Sequence, residues 1–271
     1  VRSGGMHRVR ALRPSLPAPC HGGLSVVGQL RTYHNWVRYS DLVSFRVVDQ
    51  ESDVQISAMG DFRVEAQLEI RRCRSEIERY IEQNLEFLAS LDPIDVSQEA
   101  PSIVAKMALA AKKAGVGPMA AVAGAIAEDV GHALMKRSAE VIVENGGDIF
   151  IRARKPRRIG IFAGNSPLSG KLAIDIEPDD TPLGVCTSSG TVGHSLNFGV
   201  ADAVVIISPW TALADAAATA VSNIVQSADD IPAAIDLAQS IDGVTGVVVI
   251  VGDRLGVWGK VKLSKVDGHV K

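Results

Sequence analysis

Two stretches of this chain, 101–114 and 118–136, are alanine-rich and separated by G-V-G-P. Small side chains let helix backbones come close to whatever they cover, so helices of this kind call for a flat partner such as a β-sheet. A third helix is predicted at about 211–226 and has similar composition, with L-A-D-A-A-A-T-A-V-S-N at 213–223. Aromatic residues are 4% of the chain and hydrophobic residues 46%, so the core is aliphatic and large enough to exclude global disorder.

The runs at 33–39, 42–48 and 53–58 are β-rich and closely spaced, which predicts an antiparallel meander. From Val64 the period changes. Val64, Leu68, Ile77, Ile81, Leu85 and Leu88 recur at steps of three and four or their multiples, predicting one long amphipathic helix that Pro93 ends. Further apolar runs fall at 141–143, 149–153, 159–163, 172–176 and 203–207. A helix at 230–240 precedes a run at 247–251 and a last hairpin through Trp258 and Val261. Strands this close together, with helices bunched rather than alternating, predict an α+β fold. One domain over 32–267 is expected, with 268–271 as a tail. Residues 1–31 hold five arginines and three prolines, and Asp41 is the first carboxylate. They are expected to form a disordered, upstream-extended start with Met6 as initiator.

Net charge is −3, which removes the basic surface that nucleic-acid binding needs. Cys20, Cys73 and Cys186 are far apart and form no C-x-x-C pair, which suits a reducing compartment. No apolar run reaches the ~18 residues of a membrane span. The expectation is a cytoplasmic protein with no membrane partner; its alanine-rich faces and sheet edges admit a homo-oligomer.

Four motifs carry polar chemistry. A-G-A-I-A-E-D-V-G-H (123–132) lies in the second alanine-rich helix and reads most simply as packing. V-E-N-G-G-D-I-F (143–150) is a natural hairpin, since Asn and Gly tolerate positive φ. It also lets amides approach a ligand, with Asn145 or Asp148 on its polar edge. C-T-S-S-G-T-V-G-H-S (186–195) holds five hydroxyls. Gly190 and Gly193 allow amides to converge on an anion, with Ser188, Ser189 and Thr191 as added donors, which suits the pyrophosphate of a dinucleotide. A polar turn closed by its own Ser/Thr hydrogen bonds explains the same residues equally well. In A-D-A-A-A-T (214–219), Asp215 and Thr219 share a helix face and offer two hard oxygens to Mg²⁺; capping of the helix start is the simpler alternative for Asp215. Taken together the motifs describe a phosphate cradle beside a divalent-metal pair.

In their order these motifs resemble the ApbE-like superfamily, whose best-known members are the FAD:protein FMN transferases, and most of all its short cytoplasmic branch. The resemblance rests on 112–128, 140–150, 186–195 and 211–220 and covers nearly all of 33–266. It implies a T-fold-like antiparallel sheet with helices on one face. It also implies Mg²⁺ held by Asp215 and Thr219 with the carbonyl of Ala125 or of a neighbour. FAD would be lined by Asn145, Gly146, Gly147, Asp148, Thr187, Ser188, Ser189 and Gly190. In the reaction it implies, a threonine of a protein substrate attacks the FMN phosphorus. Departures are visible: Glu128-Asp129 stands where transferases carry a lysine, only His194 remains of their H-x-x-D-P signature, and their N-terminal S-x-x-x-x-N flavin-contacting segment is not found. Beside this reading stand a thiol-based sulfur- or acyl-handling enzyme using Cys186 with His194, and a non-catalytic binding or scaffold subunit.

Overall fold

The structure, a computed structural model, describes residues 40–192 and 197–266. The run at 33–39, His194, the 1–31 extension and the 268–271 tail lie outside those residues. The chain opens with a hairpin, β1 (Val43–Asp49) and β2 (Ser52–Ala58), whose alternation is strict: Val54, Ile56 and Ala58 are fully buried. β1 is an edge strand, and its Arg46 forms a cross-strand ion pair with Asp53. A charged edge discourages further pairing.

The long helix divides. α1 (Arg63–Gln83) stops where Asn84 leaves helical geometry, and α2 (Leu85–Ala89) is a separate turn. Its buried stripe is Ala66, Ile70, Cys73 and Ile77, whereas Val64, Leu68, Leu85 and Leu88 are exposed. Two apolar registers compete on this helix, and the one with small Ala66 and Cys73 faces the core because it allows close approach. The break at Asn84, whose side chain caps the Tyr80 carbonyl, swings Phe87 into the core, edge-on to Tyr80 at 5.1 Å. Pro93 therefore follows an ending already made.

α3 (Ser102–Ala114) closes on Gly115 in the left-handed region (φ 73°). A 3₁₀ turn at Pro118–Ala121 leads into α4 (Val122–Met135). Next come β3 (Val141–Asn145), β4 (Asp148–Arg152), β5 (Arg157–Gly160), β6 (Leu172–Ile176), β7 (Leu183–Ser188) and β8 (Ala203–Ser208). α5 (Thr211–Asn223), α6 (Ile231–Ser240), β9 (Gly246–Val251), β10 (Arg254–Gly259) and β11 (Leu263–Lys265) complete the chain. Most of C-T-S-S is therefore strand rather than loop.

Among the described residues the main sheet has eight strands in the order β1-β2-β3-β4-β7-β8-β9-β10, every neighbouring pair antiparallel. One core cluster joins a face of this sheet to residues of α1 to α6. On the other face, β11-β6-β5 forms a smaller sheet over a second core that includes Ile151, Ile174, Val205 and Ile250. The molecule is thus an antiparallel α+β fold with its helices on one face of the main sheet. Glycines set the contact between layers. A Cβ on Gly184 would stand 2.5 Å from Thr211 Cα, and one on Gly131 would stand 2.1 Å from the Phe150 ring. Only hydrogen fits at either place.

Candidate functional site

The N-G-G-D segment forms a two-residue hairpin with Gly146 and Gly147 both at positive φ (69° and 109°) and Asn145 paired with Asp148. Both side chains are buried. β4 then pairs with β7 so that Asp148 lies directly opposite Cys186. Cys186 Sγ–H donates to the Thr211 carbonyl at the start of α5 (3.5 Å). One turn further along α5 stands Asp215, and another turn on Thr219; both are half-buried.

Asp215 reaches across to α4. Its Oδ2 accepts the Gly124 N–H at 2.8 Å, and a Cβ on Gly124 would stand 2.7 Å from Asp215 Cβ, so glycine is what permits the approach. α4 has no capping side chain of its own, and Asp215 supplies that function from another helix. The arrangement is reciprocal. α5 likewise lacks a capping side chain, and the Glu128 carboxylate on α4 accepts the Ala212 N–H at 3.1 Å. Glu128 is buried and its other oxygen meets Lys106 Nζ at 2.8 Å; Lys106 also reaches Asp129 at 2.5 Å. Burial works against charge on Lys106, but these two carboxylates outweigh it and hold its pKa above the usual lysine range. An ammonium from α3 thus stands beside the position where the transferase pattern has its own lysine.

Two carboxyls dominate the electrostatics. Burial, with the charge of Glu144 behind it, pushes the Asp148 carboxyl up to about 7 from its ordinary 3.8, against hydrogen bonds from Cys186 and the Thr187 amide. Asp215 is raised as well, first by desolvation and then by the charge of Asp148, with the Gly124 and Ala123 amides pulling the other way. Neither makes an ion pair with a lysine or arginine among the described residues. The Cys186 thiol is fully buried, and desolvation plus both carboxylates drive its pKa up. A nucleophilic thiol needs an electropositive, accessible setting, so the thiol-enzyme expectation fails on this geometry.

The expected anion cradle takes a different form. Gly190 N–H donates to the Ala201 carbonyl at 2.9 Å, and Ser189 Oγ accepts from Thr191 N–H at 3.1 Å and Val192 N–H at 3.0 Å. The Gly190 amide is thus taken by the segment that leads into β8 and the other two are engaged within their own turn, while Val192 lies against Gly164 between β5 and β6, in the layer on the other sheet face. Ser188 stays on the helix side, where its hydroxyl accepts from Asn197 Nδ2 (2.9 Å). The same nitrogen donates to Ser222 Oγ (2.8 Å). Ala125 is fully buried in α4; the recorded contacts near Asp215 run through the Gly124 amide and through the Ala123 carbonyl, which accepts Asn145 Nδ2 at 3.1 Å.

The sequence reading missed Asn197, Ser222, Lys106 and the capping role of Glu128. Ser222 was within reach of it: Asp215, Thr219 and Ser222 follow i, i+4, i+7 on one face of an otherwise alanine-rich helix. A second cluster, Glu69, Cys73 and Asp129, has metal-ligand spacing but is served by the Arg72 guanidinium, which pairs with Glu69 and Asp129.

Comparison with known proteins follows the geometry. A family model described as "AbpE bacteria" matches residues 34–254. A UPF0280 protein of Methanocaldococcus jannaschii is 42% identical over 233 residues, covering 83% of this chain and 94% of its own. A UPF0280 protein of Methanospirillum hungatei is 47% identical over 193 residues, covering 71% and 77%. Among solved structures, apo flavinyl transferase ApbE of Pseudomonas stutzeri aligns with TM-score 0.53 at 15% identity, covering 80% of this chain and 94% of its own. A variant of flavin transferase ApbE from Vibrio cholerae gives 0.54 at 14%, covering 81% and 97%. Those two likenesses speak to the fold; the family match and the archaeal relatives show that the chain belongs to the ApbE-like superfamily.

Proposed function

We propose that this protein binds a phosphate-bearing cofactor, FAD, at a Mg²⁺ site made by Asp215, Thr219 and Asp148, and serves as a flavinyl-type transferase. The observation that carries the reading is the pair of carboxyls from two separate elements, Asp148 on β4 and Asp215 on α5. Each is raised in pKa, and neither has a cationic side chain as an ion-pair partner among the described residues. Such a pair either keeps a proton or takes a cation, and hard oxygen donors favour Mg²⁺. The donor set therefore fits the metal that the family likeness implies.

A bound Mg²⁺ would neutralise pyrophosphate charge and act as a Lewis acid. The residues supply the rest. Gly124 N–H holds one oxygen of Asp215 and so fixes its orientation. Thr219 offers its hydroxyl a turn away, and Ser188, oriented by Asn197, is the candidate donor that the hydroxyl-rich strand presents on the helix side. In the transfer itself the oxygen of an acceptor hydroxyl of a protein substrate would bond to the FMN phosphorus and give up its proton to solvent, while the bond to the departing AMP breaks. Positioning and charge neutralisation suffice for such chemistry. The reading keeps the protein in the cytoplasm, consistent with free Cys73 and Cys186. Among the described residues no helix is long and apolar enough to cross a membrane.

FAD titration with and without Mg²⁺ tests the proposal in wild type and Asp215→Ala. The expected result is Mg²⁺-dependent binding that the variant loses by ten-fold or more. Metal-independent binding, equal in both, removes the metal site; no binding in wild type removes the flavin.

A further inference from the structure

We infer that β10 is an interface between two copies of this chain, which pair edge to edge so that the main sheet runs on from one copy into the other. The inference is independent of the cofactor reading above.

Three observations lead to it. First, the two edges of the main sheet are built differently. β1 closes one edge with Arg46 paired to Asp53, and Arg71 of α1 pairs with Asp49 beside it. β10 forms the other edge and, among the described residues, has a neighbouring strand on its β9 side alone. From Leu255 to Gly259 it carries no charged residue and no proline, the devices that ordinarily keep an open edge from pairing. Leu255 and Val257 are exposed there, at 41% and 40%. They stand opposite Ile250 and Val248, members of the second core, so they prolong that core past the last strand.

Second, the strand is complementary to itself in one register. Residues 254, 256 and 258 face the helices: a Cβ on Gly256 would stand 2.2 Å from Ile231 Cγ2 of α6, and Trp258 packs on the helix-side core. Two antiparallel copies related by a two-fold axis keep their faces aligned, so each residue opposes one of like parity. Two such registers overlap five residues of β10. Centred on Val257, the pairing sets Arg254 against Lys260, and like charges directly opposite work against it. Centred on Gly256, it sets Leu255 of each copy against Val257 of the other and Arg254 against the Trp258 ring, an apolar pair and a cation–π pair made twice. It also brings Asp253, at one end of each strand, to the Lys260 end of the other.

Third, the helix layer continues across the same axis. α6 packs on β9 and β10 alike, so it lies about half a strand spacing inside β10, and the axis lies half a spacing outside. With strands ~4.8 Å apart, the two copies of α6 come to roughly 10 Å, the distance at which helices pack. α6 carries a single charged residue, Asp236, and its exposed positions include Pro232, Ala233 and Gln239. That near-neutral surface suits a helix with a neighbour.

Sedimentation equilibrium of the full chain tests this in wild type, Val257→Lys and Val48→Lys, the last on the opposite edge strand. Both valines are exposed, so neither lysine disturbs a core. The expected result is a wild-type dimer at micromolar concentration, weakened about ten-fold or more by Val257→Lys and unchanged by Val48→Lys. Wild type that stays monomeric up to millimolar concentration overturns the interface. So does a dimer that Val257→Lys leaves intact, or one that Val48→Lys weakens as much. Cross-linking reads the register, in a Cys20→Ser background whose other cysteines, Cys73 and Cys186, are buried. Leu255→Cys mixed with Val257→Cys should form an intermolecular disulfide about ten-fold faster than either variant alone, because only that pair stands directly opposite. Bridging as fast within either single variant overturns the register and the pairing built on it.

Discussion

Asp148 has a raised pKa because it is buried with the charge of Glu144 behind it, and this makes the metal-free protein sensitive to pH. The fold holds the proton up to about pH 7, whereas the unfolded chain loses it near the ordinary value of 3.8. Between those values the native state binds more protons than the unfolded one, so stability falls as pH rises, by at most about 1.4 kcal/mol per pH unit. Thermal melts in EDTA across pH 4 to 8 should show that decline, and Asp148→Asn should flatten it. An unchanged slope in the variant would mean that another group is responsible. Asp148 and Asn145 were legible as a pair on one tight turn because glycines at positive φ dictate that turn. That Asp148 faces Cys186 was not legible, since the register of β4 against β7 depends on strands far apart in sequence.

α4 and α5 cap one another, and neither cap comes from the residue that precedes the helix. Glu128→Ala should remove the acceptor for Ala212 N–H and one partner of Lys106, costing about 2–4 kcal/mol in urea denaturation. Glu128→Gln, which keeps an acceptor oxygen, should cost less. If the two variants are equal, the ion pair rather than the cap carries the energy. Gly184→Ala should press on Thr211 and lift α5 from β7, costing about 1–3 kcal/mol and weakening Mg²⁺ binding through the displaced Asp215. The alanine-rich helices could be foreseen because their composition demands a flat partner. The register of α1 could not: Val64 and Leu68 match helical spacing as well as Ala66 and Ile70 do, and only packing in the folded molecule chooses between them. The T-S-S-G turn satisfies its own amides through Ser189, a local alternative that residue types leave open.

At the scale of the molecule, the main sheet separates two cores, and the candidate site lies wholly on the helix side. Residues 148, 186, 188 and 215 come from three elements that meet only when β4, β7 and α5 are in place, so cation and cofactor binding should report on the assembled fold. Saturating FAD with Mg²⁺, at about a hundred times Kd, should stabilise the protein by about 2.7 kcal/mol and raise Tm accordingly. Mg²⁺ alone should give a smaller shift that Asp215→Asn abolishes. The most direct test of the central claim, that Asp148, Asp215 and Thr219 converge on one divalent cation, is the anomalous scattering of crystals soaked in Mn²⁺. The account expects one strong peak at about 2.0–2.2 Å from an Asp215 carboxylate oxygen, with Thr219 or Asp148 also in its coordination sphere. A saturated crystal with that position empty, or with its manganese bound elsewhere, would contradict it.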